Sequence, residues 1–279
     1  MPLTQLNFQP GIDTENTATG AEGKWIDCDK VRFRKGLPQK IGGWTKFSEA
    51  YYVGVGRALE QWFALTGTRF EALGTDRKIY VFTAGTNQDI TPIRETATLV
   101  NAITTTNTSA TLTISDSSHG ADVGDFVTLS SVSANVGGIL STVLDAEYEI
   151  LTITNASAYT VLSSATATST VGPTANCTAN YQLNIGPSEQ TFGYGWGSGA
   201  WSASTWGTAR STSNVTIDAR LWSINNWGED LVITQKDGGT YEWDTSGGMS
   251  GNRATVIANA PTTSTLSMIS TETRHVVCM

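Results

Sequence analysis

The sequence has few charged residues and no long apolar stretch. Charged residues make up 15% of its 279 residues, below the ~25% of ordinary soluble domains. The hydrophobic share of 39% still argues against a disordered chain, because disorder requires low hydrophobicity and high net charge. No run of about 18 apolar residues occurs, so we expect no segment to span a membrane. Short β-strands joined by many turns suit this composition.

Cysteine is also scarce, with only Cys28, Cys177 and Cys278. None belongs to a CxxC pair or lies near a histidine, so a zinc site and a disulfide framework are both disfavoured. We predict that the three thiols are buried as small apolar groups. We also expect the chain to be made in the cytoplasm, because its first residues lack the basic start and apolar stretch of a signal peptide.

Positive charge is missing from the middle of the chain. Between Arg94 and Arg210 there is no lysine or arginine. Eight of the 25 acids lie in this window, and the other 17 balance the 17 bases. So sharp a change in charge indicates a separately acquired module inside a host domain. We therefore divide the chain into an N-terminal extended arm (1–45), the first part of a propeller-like domain (46–97), an inserted acidic β-module (98–182), and a tryptophan- and glycine-rich loop followed by the rest of the propeller-like domain (183–279).

Two parts of the host domain share a pattern of four short strand-like runs. Short, even strands with tight turns predict antiparallel four-stranded blades, the unit of a β-propeller. Two blades and the start of a third cannot close a ring, so the fold is expected to be all-β with a partial or irregular propeller. Either the chain is a piece of a longer protein, which we favour, or another chain completes the sheet. The runs are 58–65, 70–74, 78–82 and 88–93, then 220–224, 230–234, 240–243 and 253–257, and finally 264–269 and 275–278.

The acidic module is rich in threonine and valine, and its size predicts a small β-barrel or sandwich. Its strand-like runs are 111–114, 126–129, 149–153 and 159–162. Asp116, Asp122 and Asp125 could be calcium ligands. They flank a glycine-containing turn, however, and we favour a structural role in that turn.

A second group of acids, Asp145, Glu147 and Glu149, alternates along one strand. Paired carboxylates could serve glycoside hydrolysis, but we favour a solvated strand face. The two histidines lie in different modules without a local catalytic signature. We therefore predict that the protein is not an enzyme and that it has no catalytic, metal or cofactor site.

Basic residues in the arm are the first candidates for contacts with a partner. In 31–34 apolar and basic residues alternate, which predicts a short strand with one wet face. Arg32, Arg34 and Lys35 could grip an acidic neighbour. The alternative is a solvated strand edge whose charges prevent aggregation.

Tryptophans are the second candidates. Five of the nine lie between 196 and 227, among glycines and serines, with a spacing that fits neither a strand nor a helix. Tryptophan anchors are common at protein interfaces, so we assign Trp196, Trp201, Trp206 and Trp227 to a candidate interface. The alternatives are a loop whose rings form a local core, and stacking on a sugar.

Three stretches together resemble the tail nozzle (tail tubular or hub) proteins of short-tailed bacteriophages. The stretch 31–44 (VRFRKGLPQKIGGW) resembles the opening of such proteins, and GYGWG at 193–197 with NWGEDL at 226–231 is similar to their tryptophan- and glycine-rich segment. The module 98–182, with DVGDFV at 122–127, resembles the small β-module named after the FCCH domain of ubiquitin-activating enzyme.

The resemblance implies a structural protein of the virion. Nozzle proteins form a ring, commonly of six subunits, between portal-proximal adaptor proteins and tail-fibre or tail-tip proteins, and double-stranded DNA leaves through the channel without specific binding. The expected location is the virion tail, assembled in the host cytoplasm. The alternative is a glycan-binding, receptor-recognising β-propeller of a virion.

Overall fold

The first compact unit of the chain contains one hairpin. The computed structural model describes residues 9–43, 45–46, 51–184, 186 and 219–279, and its contacts divide the chain into the units Met1–Phe47 and Ser48–Met279. In the first unit, β1 (Val31–Arg34) pairs with β2 (Leu37–Lys40). Lys35 and Gly36 both have positive φ, as a type I′ hairpin turn requires. The strand predicted at 31–34 is confirmed.

The second unit begins with a four-stranded antiparallel meander, here called sheet A. Its strands in sheet order are β3 (Gly56–Phe63), β4 (Arg69–Thr75), β5 (Ile79–Thr83) and β6 (Thr86–Asp89). Strand alternation places Trp62, Phe70, Ala72 and Val81 on one buried face. The four predicted runs correspond to these strands, although the fourth strand ends at Asp89 and not at residue 93.

A barrel follows sheet A. Its elements are β7 (Ile93–Leu99), β8 (Ile103–Thr105), β9 (Thr111–Ser115), β10 (Phe126–Ser130), the short helix α1 (Ser141–Leu144), β11 (Glu147–Asn155), β12 (Ala158–Leu162), β13 (Val171–Thr174) and β14 (Cys177–Gln182). The sheet order is β13-β8-β9-β12-β11-β10-β14-β7. The pairings run in one unbroken series from β13 to β7. The sheet curls around a single core, and we call this module the barrel.

The barrel encloses its own apolar core. Side chains from every wall meet inside it, among them Leu112, Ile114, Val127, Ile150 and Val161, each fully buried. The four predicted strand runs of the module are confirmed, whereas β7, β8, β13 and β14 were not predicted. Strand β7 begins at Ile93 and pairs with Gln182 at the far end of β14, so the sheet starts before residue 98. Entry and exit of the chain are adjacent, and the Leu183 amide donates to the Pro92 carbonyl at 3.0 Å.

Sheet B repeats the design of sheet A. It consists of β15 (Trp222–Trp227), β16 (Asp230–Gln235), β17 (Thr240–Trp243) and β18 (Thr255–Val256), with a 3-10 turn at Thr245–Gly247. Its buried face packs on that of sheet A, where the Trp243 ring lies 5.8 Å from the Phe70 ring and 6.3 Å from the Trp62 ring. The approach is close at Gly74, where a methyl group would lie 2.7 Å from Cδ1 of Trp222. The four predicted runs of the second set are confirmed.

A final hairpin, called hairpin C, covers the other face of sheet B. It is formed by β19 (Ser267–Ile269) and β20 (Val276–Cys278). The hydroxyl of Ser223 and the amide of Asn225 both donate to the Ser267 carbonyl, at 2.9 and 2.8 Å. Sheet A, sheet B and hairpin C thus form a stack. The described part of the chain is nearly all β, as predicted, while the partial or irregular propeller stays a prediction.

Two smaller expectations have definite outcomes. Cys177 is buried, but Cys28 and Cys278 are only partly buried, so the prediction that all three thiols are buried is wrong for those two. Within the described residues, no helix has the length and apolar character needed to span a membrane.

Candidate functional site

Charged side chains hold the barrel against the two sheets. Lys78 lies in the turn between β4 and β5, and its side chain is 2% exposed. Its Nζ is 2.9 Å from Oδ2 of Asp89 and also pairs with Glu147, the first residue of β11. Arg253 of sheet B completes the group, 3.3 Å from Asp89 and 3.4 Å from Glu147. We call these four residues the ionic junction.

The ionic junction balances its own charge. Two cations face two carboxylates, and further groups satisfy the remaining oxygens, because Gln182 donates to Glu147 at 2.5 Å. Nζ of Lys78 also lies 4.2 Å from the centre of the Phe126 ring, a favourable cation–π distance. A buried charge of this kind is tolerated only when it is paired and hydrogen-bonded.

The protonation of Asp89 follows from this arrangement. Burial opposes ionisation of its carboxyl group, but the charges of Lys78 and Arg253, with hydrogen bonds from Thr91 and Lys78, outweigh burial and lower its pKa. The carboxylate is therefore the stable form in the folded protein.

The junction corrects the interpretation of the second acid group. Glu147 and Glu149 do lie on one side of β11, but they are not simply solvated, since Glu149 pairs with Arg77 of sheet A at 2.7 Å. Asp145 lies before the strand and accepts a hydrogen bond from the Val132 amide at 2.9 Å. Part of the acidic excess in the module therefore pairs with basic residues of the sheets across one contact.

The first acid group has the structural role that we favoured. Asp116 accepts hydrogen bonds from the Ser118 amide at 3.1 Å and from the Tyr181 hydroxyl at 2.6 Å. Asp125 accepts one from the Asp122 amide at 2.8 Å, closing the predicted turn. In the residues that the structure describes, no group of three or more His, Cys, Asp or Glu side chains is placed to hold a metal ion.

A tyrosine pair closes off the same end of the barrel. The hydroxyls of Tyr159 and Tyr181 are 3.0 Å apart, and burial is the main reason that the pKa of each phenol is raised. The ring of His119 packs edge-on against Tyr159. Nδ1 of this histidine accepts from the Ala121 amide at 3.1 Å, so Nε2 carries the proton toward the Asn155 carbonyl at 3.2 Å.

The candidate interface residues fall into three groups. Arg32 and Arg34 are exposed on one side of β1, opposite Val31 and Phe33, and Lys35 follows in the turn. Trp196, Trp201 and Trp206 lie outside the described residues. Trp227 ends β15, is partly buried, and donates its indole N–H to the Arg274 carbonyl at 2.8 Å. Their roles in binding a partner stay predictions.

Sequence reasoning missed an apolar surface on sheet A. The face turned away from sheet B, here called the open face, carries Leu59, 71% exposed, and the exposed ring of Phe63. Next to them the segment 51–55 lies over Tyr80, whose hydroxyl accepts from the Val53 amide at 3.0 Å. Burial raises the pKa of Tyr80 to about 12. Alternation along β3 was the available signal, because it places Leu59 and Phe63 opposite Trp62.

The other end of the stack is apolar as well. Met268 and Val277 are directly paired across hairpin C, and both are exposed on the side turned away from sheet B. Both outer surfaces of the stack therefore present apolar side chains to solvent.

Comparison with known proteins gives little further guidance. No family model matches this chain, and no curated protein matches it by sequence. Among solved structures, the chain is similar to Phage phi92 endosialidase with 15% identity and a TM-score of 0.30, over 72% of this chain and 30% of that one. The chain thus spans less than a third of that protein's length, and a likeness of this degree carries no activity over to it.

Proposed function

We propose that this protein is a structural subunit of a bacteriophage tail and forms part of the nozzle ring through which DNA is ejected. The open face of sheet A is the observation that carries the proposal. Exposed apolar surfaces of this kind mark sites of protein association. Because the two ends of the stack differ, the open face of one subunit would meet hairpin C of the next. A repeated head-to-tail contact closes into a ring when its rotation allows.

The sequence resemblance supports the same assignment. The basic stretch with Arg32, Arg34 and Lys35, and the segment that contains Trp227, are among the stretches that resemble nozzle proteins. By that resemblance the ring has six copies, with portal-proximal adaptor proteins on one side and tail-fibre or tail-tip proteins on the other. The protein would act in the virion tail after assembly in the host cytoplasm.

The barrel's charge suits a channel that DNA passes through. Between Arg94 and the end of β14 there are acids but no bases. Like charge keeps a duplex from adhering to a surface, since affinity for DNA comes mainly from cations on its phosphates. The proposal therefore includes transient passage of DNA without specific binding.

The proposed role is structural and not enzymatic. The Tyr181 hydroxyl is hydrogen-bonded to both Asp116 and Tyr159, and Glu147 belongs to the ionic junction. Through these contacts, the polar side chains of the barrel stabilise the fold.

Ring formation tests the proposal. The full chain, purified without tags, is expected to form rings in negative-stain electron microscopy and oligomers of matching mass in light scattering. Leu59→Asp places a charge on the open face and is expected to abolish the rings. Leu162→Asp is the matched control, because Leu162 is 57% exposed on the barrel and its replacement should leave the rings intact.

Circular dichroism of both variants shows whether each one folds. A wild-type chain that stays monomeric at high concentration would contradict the nozzle assignment. Rings that survive Leu59→Asp would show that the open face is not the subunit contact.

A further inference from the structure

A cavity lies where the first strands of the stack come together. It has a volume of about 370 Å³, within the range of about 300–1,000 Å³ typical of small-molecule sites. Sheet A, sheet B and the turn of hairpin C each contribute one wall. The polar and aromatic lining comprises Glu60 of β3, Asn225, Asn226 and Trp227 of β15, and Thr271 and Arg274 of the turn.

The cavity contains one negative and one positive side chain that do not pair. Glu60 and Arg274 both line it, yet among the described residues neither makes an ion pair, and no hydrogen bond joins their side chains. A carboxylate accepts hydrogen bonds and a guanidinium donates them. The walls therefore offer both kinds of partner while the net charge of the cavity is zero.

The backbone around the cavity is held in place. The Arg274 carbonyl accepts the indole N–H of Trp227 at 2.8 Å, and the Arg274 amide donates to the Ser270 carbonyl at 2.8 Å. These bonds fix both the turn of hairpin C and the tilt of the indole ring. A site fixed in advance loses less entropy when it binds a ligand.

Two amide side chains present acceptors to the cavity. Asn225 uses its Nδ2 on the Ser267 carbonyl at 2.8 Å, and Asn226 uses its Nδ2 on the Gly228 carbonyl at 2.8 Å. Among the described residues, no hydrogen bond reaches either amide oxygen, so both can still accept one. Hydroxyl groups suit such a mixed lining, because each can donate and accept at once.

We propose that this cavity binds a neutral saccharide, with Glu60 and Arg274 bonded to its hydroxyl groups and the indole of Trp227 against the apolar side of the ring. An aromatic ring supplies a flat apolar surface to one side of the ligand, while the remaining walls supply polar contacts. A phosphate or other anion is disfavoured because Glu60 would repel it. One chain forms all of the walls, so binding requires no second subunit.

A printed array of neutral hexose and N-acetylhexosamine oligosaccharides, probed with the full chain, tests the proposal. Binding to a subset of these sugars is expected, and calorimetry with the best of them gives the affinity. Glu60→Gln and Arg274→Met are each expected to weaken it roughly tenfold or more. Glutamine is a weaker acceptor than the carboxylate, and methionine has no donor to replace the guanidinium. Glu272→Gln is the matched control, since Glu272 is exposed in the same turn but does not line the cavity, and it should bind as the wild type does.

Three results would overturn the inference. They are no binding to any sugar on the array, binding that both variants leave unchanged, and binding of inorganic phosphate in place of sugar. If Arg274→Met does not fold, Glu60→Gln decides the outcome alone. The binding test is valid even if the protein forms no ring, because one chain forms the whole cavity.

Discussion

Replacing Lys78 with methionine should loosen the barrel from the sheets, because the ionic junction would lose one of its two cations. Breaking a buried ion pair typically costs about 3–5 kcal/mol, since the remaining charge stays buried without compensation. Here Asp89 and Glu147 keep 17% and 34% of their side-chain exposure and retain Arg253 within 3.4 Å. We therefore expect a loss in the free energy of unfolding of about 2–4 kcal/mol.

Urea denaturation followed by two signals measures this effect. Tryptophan fluorescence includes the four tryptophans of the sheets but none from the barrel, because residues 93–182 contain no tryptophan. Circular dichroism reports on all strands. The two transitions should move apart in Lys78→Met as the barrel and sheets uncouple. Arg69→Met is the matched control, because Arg69 pairs with Glu71 on the surface with 52% side-chain exposure, and exposed pairs contribute only about 0–1 kcal/mol.

The dependence of stability on pH provides a second test of the ionic junction. The pKa of Asp89 is lowered in the fold, so its contribution to stability is present above the unfolded value of about 3.9 and is lost as the pH falls through the folded value. The difference between wild type and Lys78→Met should therefore shrink below about pH 4. Equal urea midpoints for Lys78→Met and Arg69→Met would refute the assigned role of the junction.

Three other measurements examine the cores. Trp243→Ala should lower the free energy of unfolding by about 3–5 kcal/mol, because this side chain is fully buried between the sheets; a loss under about 1 kcal/mol would contradict the described packing. Tyr181→Phe removes the hydroxyl that donates to Asp116 and should cost about 1.5–3 kcal/mol, measured by thermal denaturation. Burial raises the pKa of Cys177 to about 11, so a thiol reagent near neutral pH should modify it only after unfolding, whereas immediate reaction would show that it is accessible.

Local pattern was sufficient to predict most strands of both sheets, although the run predicted at 88–93 overlaps β6 only at Gln88 and Asp89. In sheet A, the turn between β4 and β5 also follows from local chemistry, because the Thr75 hydroxyl accepts from the amides of Arg77 and Lys78 at 3.1 and 2.8 Å. Strands β13 and β14 were missed. VGPT in β13 contains glycine and proline and carries no alternation. CTANYQ in β14 does alternate, with Cys177, Ala179 and Tyr181 buried, but the stretch is short and has no β-branched aliphatic residue.

The ionic junction could not be read from the sequence for a related reason. Lys78 stands beside Asp76 and Arg77 in what looks like an exposed turn, and its partner Glu147 is 69 positions away. No local pattern reports a contact at that separation. The charge imbalance between the acidic module and the rest of the chain was the available clue. It indicates that acids of the module pair with bases elsewhere, but it does not identify the residues.

The adjacency of Ile93 and Gln182 has a consequence for how such proteins can diversify. The chain leaves the scaffold and rejoins it at two hydrogen-bonded neighbours, so the excursion between them can be exchanged for another domain without opening either sheet. Arg77, Lys78 and Arg253 would then face a new surface, and any replacement would have to bring acids to meet them. The charge of a replacement domain therefore decides more than its shape whether it can be joined to the sheets at this point.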